Sequence, residues 1–152
     1  MKIMQKMLLL LGLAILAAAH VQAADDEAVK KDLAQLQGEW TMVSGTNDGS
    51  ALPEEMLSSG KRVCKGDELT VTIGGEVMMT AKITIDPSKK PKTMDFEIKD
   101  GPAKGRKRLG IYELNGDTYK SCFGAPGGER PAEFVSTSGD GRTVTMWKRA
   151  KK

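Results

Sequence analysis

The sequence predicts an all-β domain: an antiparallel up-and-down barrel of about eight to nine strands behind a short N-terminal helix. Three observations lead there. From Gly38 onward apolar residues recur with period two, as in Leu69-Val71-Ile73 and Met94-Phe96-Ile98, the pattern of antiparallel strands with one buried and one wetted face. Short turn signals, Gly74-Gly75 and Asn115-Gly116, separate such runs and allow the positive φ that two-residue hairpins need. Gly38-Glu39-Trp40 opens the first run and Trp147-Lys148-Arg149 ends the last. If a sheet closes on itself, its first and last strands lie side by side, and an arginine there can cover an indole with its guanidinium. The alternative is a two-sheet sandwich, which would hold Trp40 and Arg149 apart on separate sheets.

Each element follows in order. Residues 1–23 read as a cleaved signal peptide. Lys2 and Lys6 supply the positive start, Met7 to Ala19 an apolar run of 13 residues, and Val21-Gln22-Ala23 a small-residue exit. That order is specific for export, and the apolar run is too short for a membrane span, which needs about 20 residues. Cleavage is placed between Ala23 and Ala24. Asp25 to Gln37 then reads as a helix, because Val29, Leu33 and Leu36 form one apolar stripe and three acidic residues favour its N-terminal end. Pro53 before Glu54-Glu55, with Gly60 as the stop, marks a second, short helix. Strands are expected at 39–46, 61–65, 68–73, 76–85, 93–98, 107–114, 117–123, 132–137 and 143–149. Residues 24–152 thus form one barrel domain, with longer loops at 86–92, 99–105 and 124–131.

Composition excludes more than it assigns. Once the signal is removed, Lys2 and Lys6 go with it, and 21 basic residues face 20 acidic ones. That near-balance, with export, argues against a nucleic-acid partner. His20 is the single histidine and lies in the signal. The mature chain therefore has no imidazole for a Ser-His-Asp or Cys-His centre, a His-built zinc site or a His-bound haem. No catalytic residue, cofactor or metal is assigned. Carboxylate pairs remain formally available, but no spacing singles one out. Two cysteines remain, Cys64 and Cys122; in an oxidising compartment an even count invites a disulfide, and two separate buried thiols are the alternative.

Specific segments come in a fixed order: Leu36-Gln37-Gly38-Glu39-Trp40; Asp48-Gly49 with Pro53-Glu54-Glu55; Ile85-Asp86-Pro87-Ser88-Lys89-Lys90-Pro91-Lys92; Leu109 to Asp117; and Glu129-Arg130-Pro131 with Phe134. Together they resemble a family of small exported lipocalin-like domains abundant in planctomycete bacteria, over about Leu33 to Arg149. The resemblance implies a compact calycin-type barrel whose structural signature is Gly38, Trp40 and Arg149. It brings no catalytic residues. Cys64 departs from the pattern, which usually has a large apolar residue there, whereas Cys122 fits it; this implies that Cys122 does without a Cys64 partner.

Two functions follow. The first is a periplasmic or secreted, non-enzymatic, monomeric binding protein with a small apolar ligand inside the barrel. Trp40, Met42, Val71, Met79, Ile83, Phe96 and Met146 are the expected inward set, and flexible Met side chains suit either ligand binding or core filling. A cavity above about 300 Å³ with a few converging polar groups marks a carrier. The second is an interaction module for a cell-envelope component, using a basic face made by Lys89, Lys90, Arg106, Lys107 and Arg108 if their loops meet at one end.

Overall fold

A computed structural model describes residues 25–151; the predicted signal peptide and the Ala23/Ala24 cleavage point lie outside the described residues. Helix α1 covers residues 25–36. Then come β1 (Gly38–Asn47), β2 (Ser50–Ala51), α2 (Glu54–Ser59), β3 (Lys61–Lys65), β4 (Glu68–Ile73), β5 (Glu76–Asp86), β6 (Lys92–Asp100), β7 (Lys107–Asn115), β8 (Thr118–Phe123) and β9 (Thr143–Arg149). Every neighbouring pair is antiparallel, and β1 also pairs with β9, so eight strands close into an up-and-down barrel. The two-residue β2 is an extra strand on the far end of β1.

The two ends of the barrel differ. At one end three strand connections hang: the tight turns after Lys65 and Asn115, and the β5–β6 loop, with α1 across them. The central residues of the Asn115 turn are Gly116 and Asp117, one position later than the sequence signal, and Gly116 takes φ +59°. At the other end lie the longer connections 48–60, 101–106 and 124–142, besides the Gly74-Gly75 hairpin. We call these ends the floor and the mouth.

The floor is built on the two ends of the sequence. Trp40 and Arg149 are direct partners in the β1–β9 register. Trp40 is fully buried, donates its indole N–H to Leu36 O at 3.0 Å, and lies beneath the Arg149 guanidinium, 4.3 Å from its ring centre. Arg149 also donates to Gln35 O (2.6 Å) and Gln37 O (2.9 Å). It therefore satisfies carbonyls at the end of α1, where a cation is favoured by the helix dipole. Gly38 turns the chain from α1 into β1 with φ +98°, a conformation that suits glycine.

A second clamp holds α1 down. Asp32, only 6 % exposed, accepts hydrogen bonds from Tyr112 Oη at 2.7 Å and Lys92 Nζ at 2.8 Å. Tyr112 on β7 and Tyr119 on β8 are both fully buried. Burial first, and then the Asp32 carboxylate, pushes the Tyr112 phenol well above its ordinary value. In the unfolded chain the phenol ionises near about pH 10; the folded state still holds that proton. Stability is therefore present below about pH 10 and falls as pH rises beyond it, by up to ~1.4 kcal/mol per unit. Urea unfolding from about pH 8 to about pH 11 should show a steeper alkaline loss in the native chain than in Tyr112→Phe; parallel curves would contradict this account.

Two expectations are corrected, and the alternative left open for the cysteines is decided. Residues 132–137 form an irregular strap, not a strand. β8 already has β7 and β9 on its two edges, so no backbone ladder is free to receive another strand. The strap lies across the outer wall instead, held by Arg130, which pairs with both oxygens of Asp95 on β6 (2.6 and 3.2 Å) and donates to Gly110 O. Met146 is not inward: Thr145 and Trp147 are buried while Met146 is half-exposed. A register shift between Met42 and Ser44 also re-phases β1, so Gly45 and Asn47 pair with Thr145 and Thr143. Finally, Cys64 and Cys122 are separate buried thiols. Cys64 shares the inward phase of β3 with Arg62. Cys122 alternates with the inward Ser121 and Phe123 and points under the strap, toward Val135 O at 3.7 Å. Side chains on opposite faces of the wall do not meet. Burial pushes both thiols up, which keeps them protonated.

Candidate functional site

The interior above the floor is a cavity of about 240 Å³ opening toward the mouth. Most of its wall is apolar: Met42 from β1, Val71 and Ile73 from β4, Met79 from β5, Phe96 from β6 and Trp147 from β9. Phe123 completes it by stacking on Phe96, with ring centres 3.9 Å apart. Gly110 makes that stack fit, because a Cβ there would come within 2.4 Å of the Phe123 ring. The mouth is partly covered by the 48–60 connection, from which Leu52 and Met56 reach the cavity. Leu52 donates its backbone N–H to Gly45 O, and its side chain occupies the space where a Cβ at Gly45 would stand.

The hydroxyls and the indole N–H in the wall already have partners among themselves and Asn47. Trp147 Nε1 donates to Thr145 Oγ1 at 2.9 Å, Ser121 Oγ and Thr145 Oγ1 share a bond of 3.1 Å, and Thr143 Oγ1 donates to Asn47 Oδ1 at 2.8 Å. Two arginines also line the cavity. Arg108 donates from Nε to Gly124 O (2.8 Å) and from Nη2 to Thr143 Oγ1 (3.0 Å), with a longer contact from Nη2 to Phe123 O. Burial lowers its pKa from the ordinary value. Arg62 is 2 % exposed and stands 4.3 Å over the Tyr119 ring centre and 5.6 Å from that of Phe96. Tyr119 in turn packs against Trp40 at 6.0 Å. One column thus runs from Arg149 through Trp40 and Tyr119 to Arg62, from the floor into the cavity. Compared with known proteins, the chain matches no family model, no curated protein and no solved structure.

The basic residues singled out in the sequence do not come together. Lys89 and Lys90 lie in the β5–β6 loop at the floor, while Arg106 and Lys107 lie at the mouth. The nine residues of β6 separate them, a span of roughly 30 Å at about 3.3 Å per residue. Arg108 turns its guanidinium inward. The single basic face is therefore corrected to two separate sets of charges. The residues that define the cavity's chemistry were missed. In Lys61-Arg62-Val63-Cys64-Lys65 hydropathy favours Val63 as the inward residue, yet Val63 is exposed and Arg62 buried. The available signal was the phase shared by Arg62 and Cys64.

Proposed function

We propose that this protein is an exported, non-enzymatic binding protein that holds one small, mainly apolar ligand in the barrel. The observation that carries the reading is the cavity at the mouth, with its flexible Met42, Met56 and Met79 beside rigid Phe96 and Trp147. Its volume of about 240 Å³ is below the usual range for drug-sized ligands. A dry cavity of about 150 Å³ takes benzene, so the barrel has room for roughly ten non-hydrogen atoms on the same scale. The resemblance to exported lipocalin-like domains supports the same reading, as does the charge and small-residue order of residues 1–23. The cavity wall offers Ser and Thr hydroxyls without an adjacent base, which supports a binding rather than a catalytic role. The envelope-module alternative loses its proposed surface, because the basic residues divide between floor and mouth.

Titration with 1-octanol tests the reading. Calorimetry should show saturable binding to the native chain, and its melting temperature should rise by several degrees at saturation. Val71→Trp places a large ring in the cavity and should abolish both effects while remaining folded. Equal binding by the two proteins would place the ligand outside the barrel and sink the proposal.

A further inference from the structure

We propose that the cavity ligand is a monocarboxylate with a compact apolar body, and that Arg62 is its counter-ion. The inference rests on the binding role proposed above and names the ligand class. Arg62 is 98 % removed from solvent, yet no carboxylate among the described residues lies within ion-pairing distance of it. Its five N–H donors find one acceptor, the soft thioether of Met94 at 3.6 Å. No fully enclosed side-chain nitrogen among the described residues lacks a partner, so Nε and Nη1 each keep some open surface, and Arg62 lines the cavity. The rings of Tyr119 and Phe96 offset part of the cost of burying this charge through their negative faces. They supply no hydrogen-bond acceptors in the guanidinium plane, and that plane is where a carboxylate docks with two parallel bonds.

The charge count favours a single anionic group. Arg108 is the second cation on the wall, but its Nε and Nη2 are already engaged by carbonyl and hydroxyl oxygens, whereas no oxygen acceptor engages Arg62. A dianionic phosphate would find only one guanidinium that has no oxygen partner already. An amine would meet two positive charges and no negative one. The apolar wall above Arg62, formed by Val71, Met79 and Met42, then takes the body of the acid. A carboxylate bound to a buried guanidinium in a low-dielectric site is held more strongly than a hydroxyl at the same place.

Matched eight-carbon probes separate the possibilities. Octanoate, 1-octanol and octylammonium are titrated into the native chain by calorimetry at neutral pH. Octanoate should bind at least tenfold more tightly than 1-octanol, with octylammonium weakest. Arg62→Met, whose unbranched side chain preserves much of the volume, should retain 1-octanol binding and lose the preference for octanoate. Lys107→Gln, a change at an exposed cation outside the cavity lining, should keep that preference. Equal affinities of the native chain for octanoate and 1-octanol would overturn the assignment while leaving the binding role intact. Binding of neither probe would overturn both. The comparison within the native chain decides the matter even if Arg62→Met fails to fold, which circular dichroism would show.

Discussion

Trp40→Ala should lower the free energy of unfolding by about 3–5 kcal/mol, a large share of what a small domain has in total. The indole is fully buried, and its loss would leave a void among Leu36, Tyr119 and the Arg149 guanidinium. Leu36 O would lose its donor, and the guanidinium its aromatic support. The surrounding strands close the barrel at this point and have little freedom to collapse inward. Arg149→Ala should cost less, about 1–2 kcal/mol, because that side chain is partly exposed but also holds two carbonyls at the end of α1. Urea denaturation measures both. A loss below about 1 kcal/mol for Trp40→Ala would contradict the floor as described.

Asp32→Ala should rank second, at about 2–3 kcal/mol. The carboxylate is almost fully buried and receives both the Tyr112 phenol and the Lys92 ammonium. Lys92 is half-exposed and can turn to water, so its share is modest. The phenol has no such escape. Its side chain is enclosed, and losing the acceptor leaves a buried donor unpaired. Helix α1 should loosen first, since Asp32 joins it to β6 and β7 through these two bonds. Amide hydrogen exchange across residues 25–36 would detect that loosening, and unchanged protection there would argue against the clamp.

The barrel was legible because its signals are local and repeated. Alternation in 68–73, 76–85 and 93–98 and glycines at the turns state strand length and direction without reference to the rest of the chain. The Trp40–Arg149 pairing was legible through the resemblance to lipocalin-like domains, and closure, which sets the first and last strands side by side, agrees with it. The cavity was less so, for three physical reasons. A bulge near Val43 re-phases β1 in a way that alternation does not register. On β9 the apolar Val144 and Met146 occupy the outer phase, while Thr145 faces in beside Trp147, so hydropathy pointed the wrong way. Arg62 is a charged residue in the core, tolerated through aromatic faces contributed by β6 and β8, more than thirty residues further along the chain. The strap at 132–137 failed for a related reason: its composition permits a strand, but whether an edge remains free is a property of the completed sheet.

The pairing that closes the barrel also sets when the barrel can exist. Contacts between the Arg149 side chain and the start of the domain span up to 114 positions. A chain that emerges N-terminus first therefore holds β1 ready long before β9 is available. Until then β1 and β8 each present an unsatisfied ladder on which another chain could add a strand. Such late, long-range closure is slow, since the entropy of joining distant segments must be overcome before their contacts form. A chain cut short of Thr143 is consequently not a slightly smaller barrel but an open sheet with two adhesive margins.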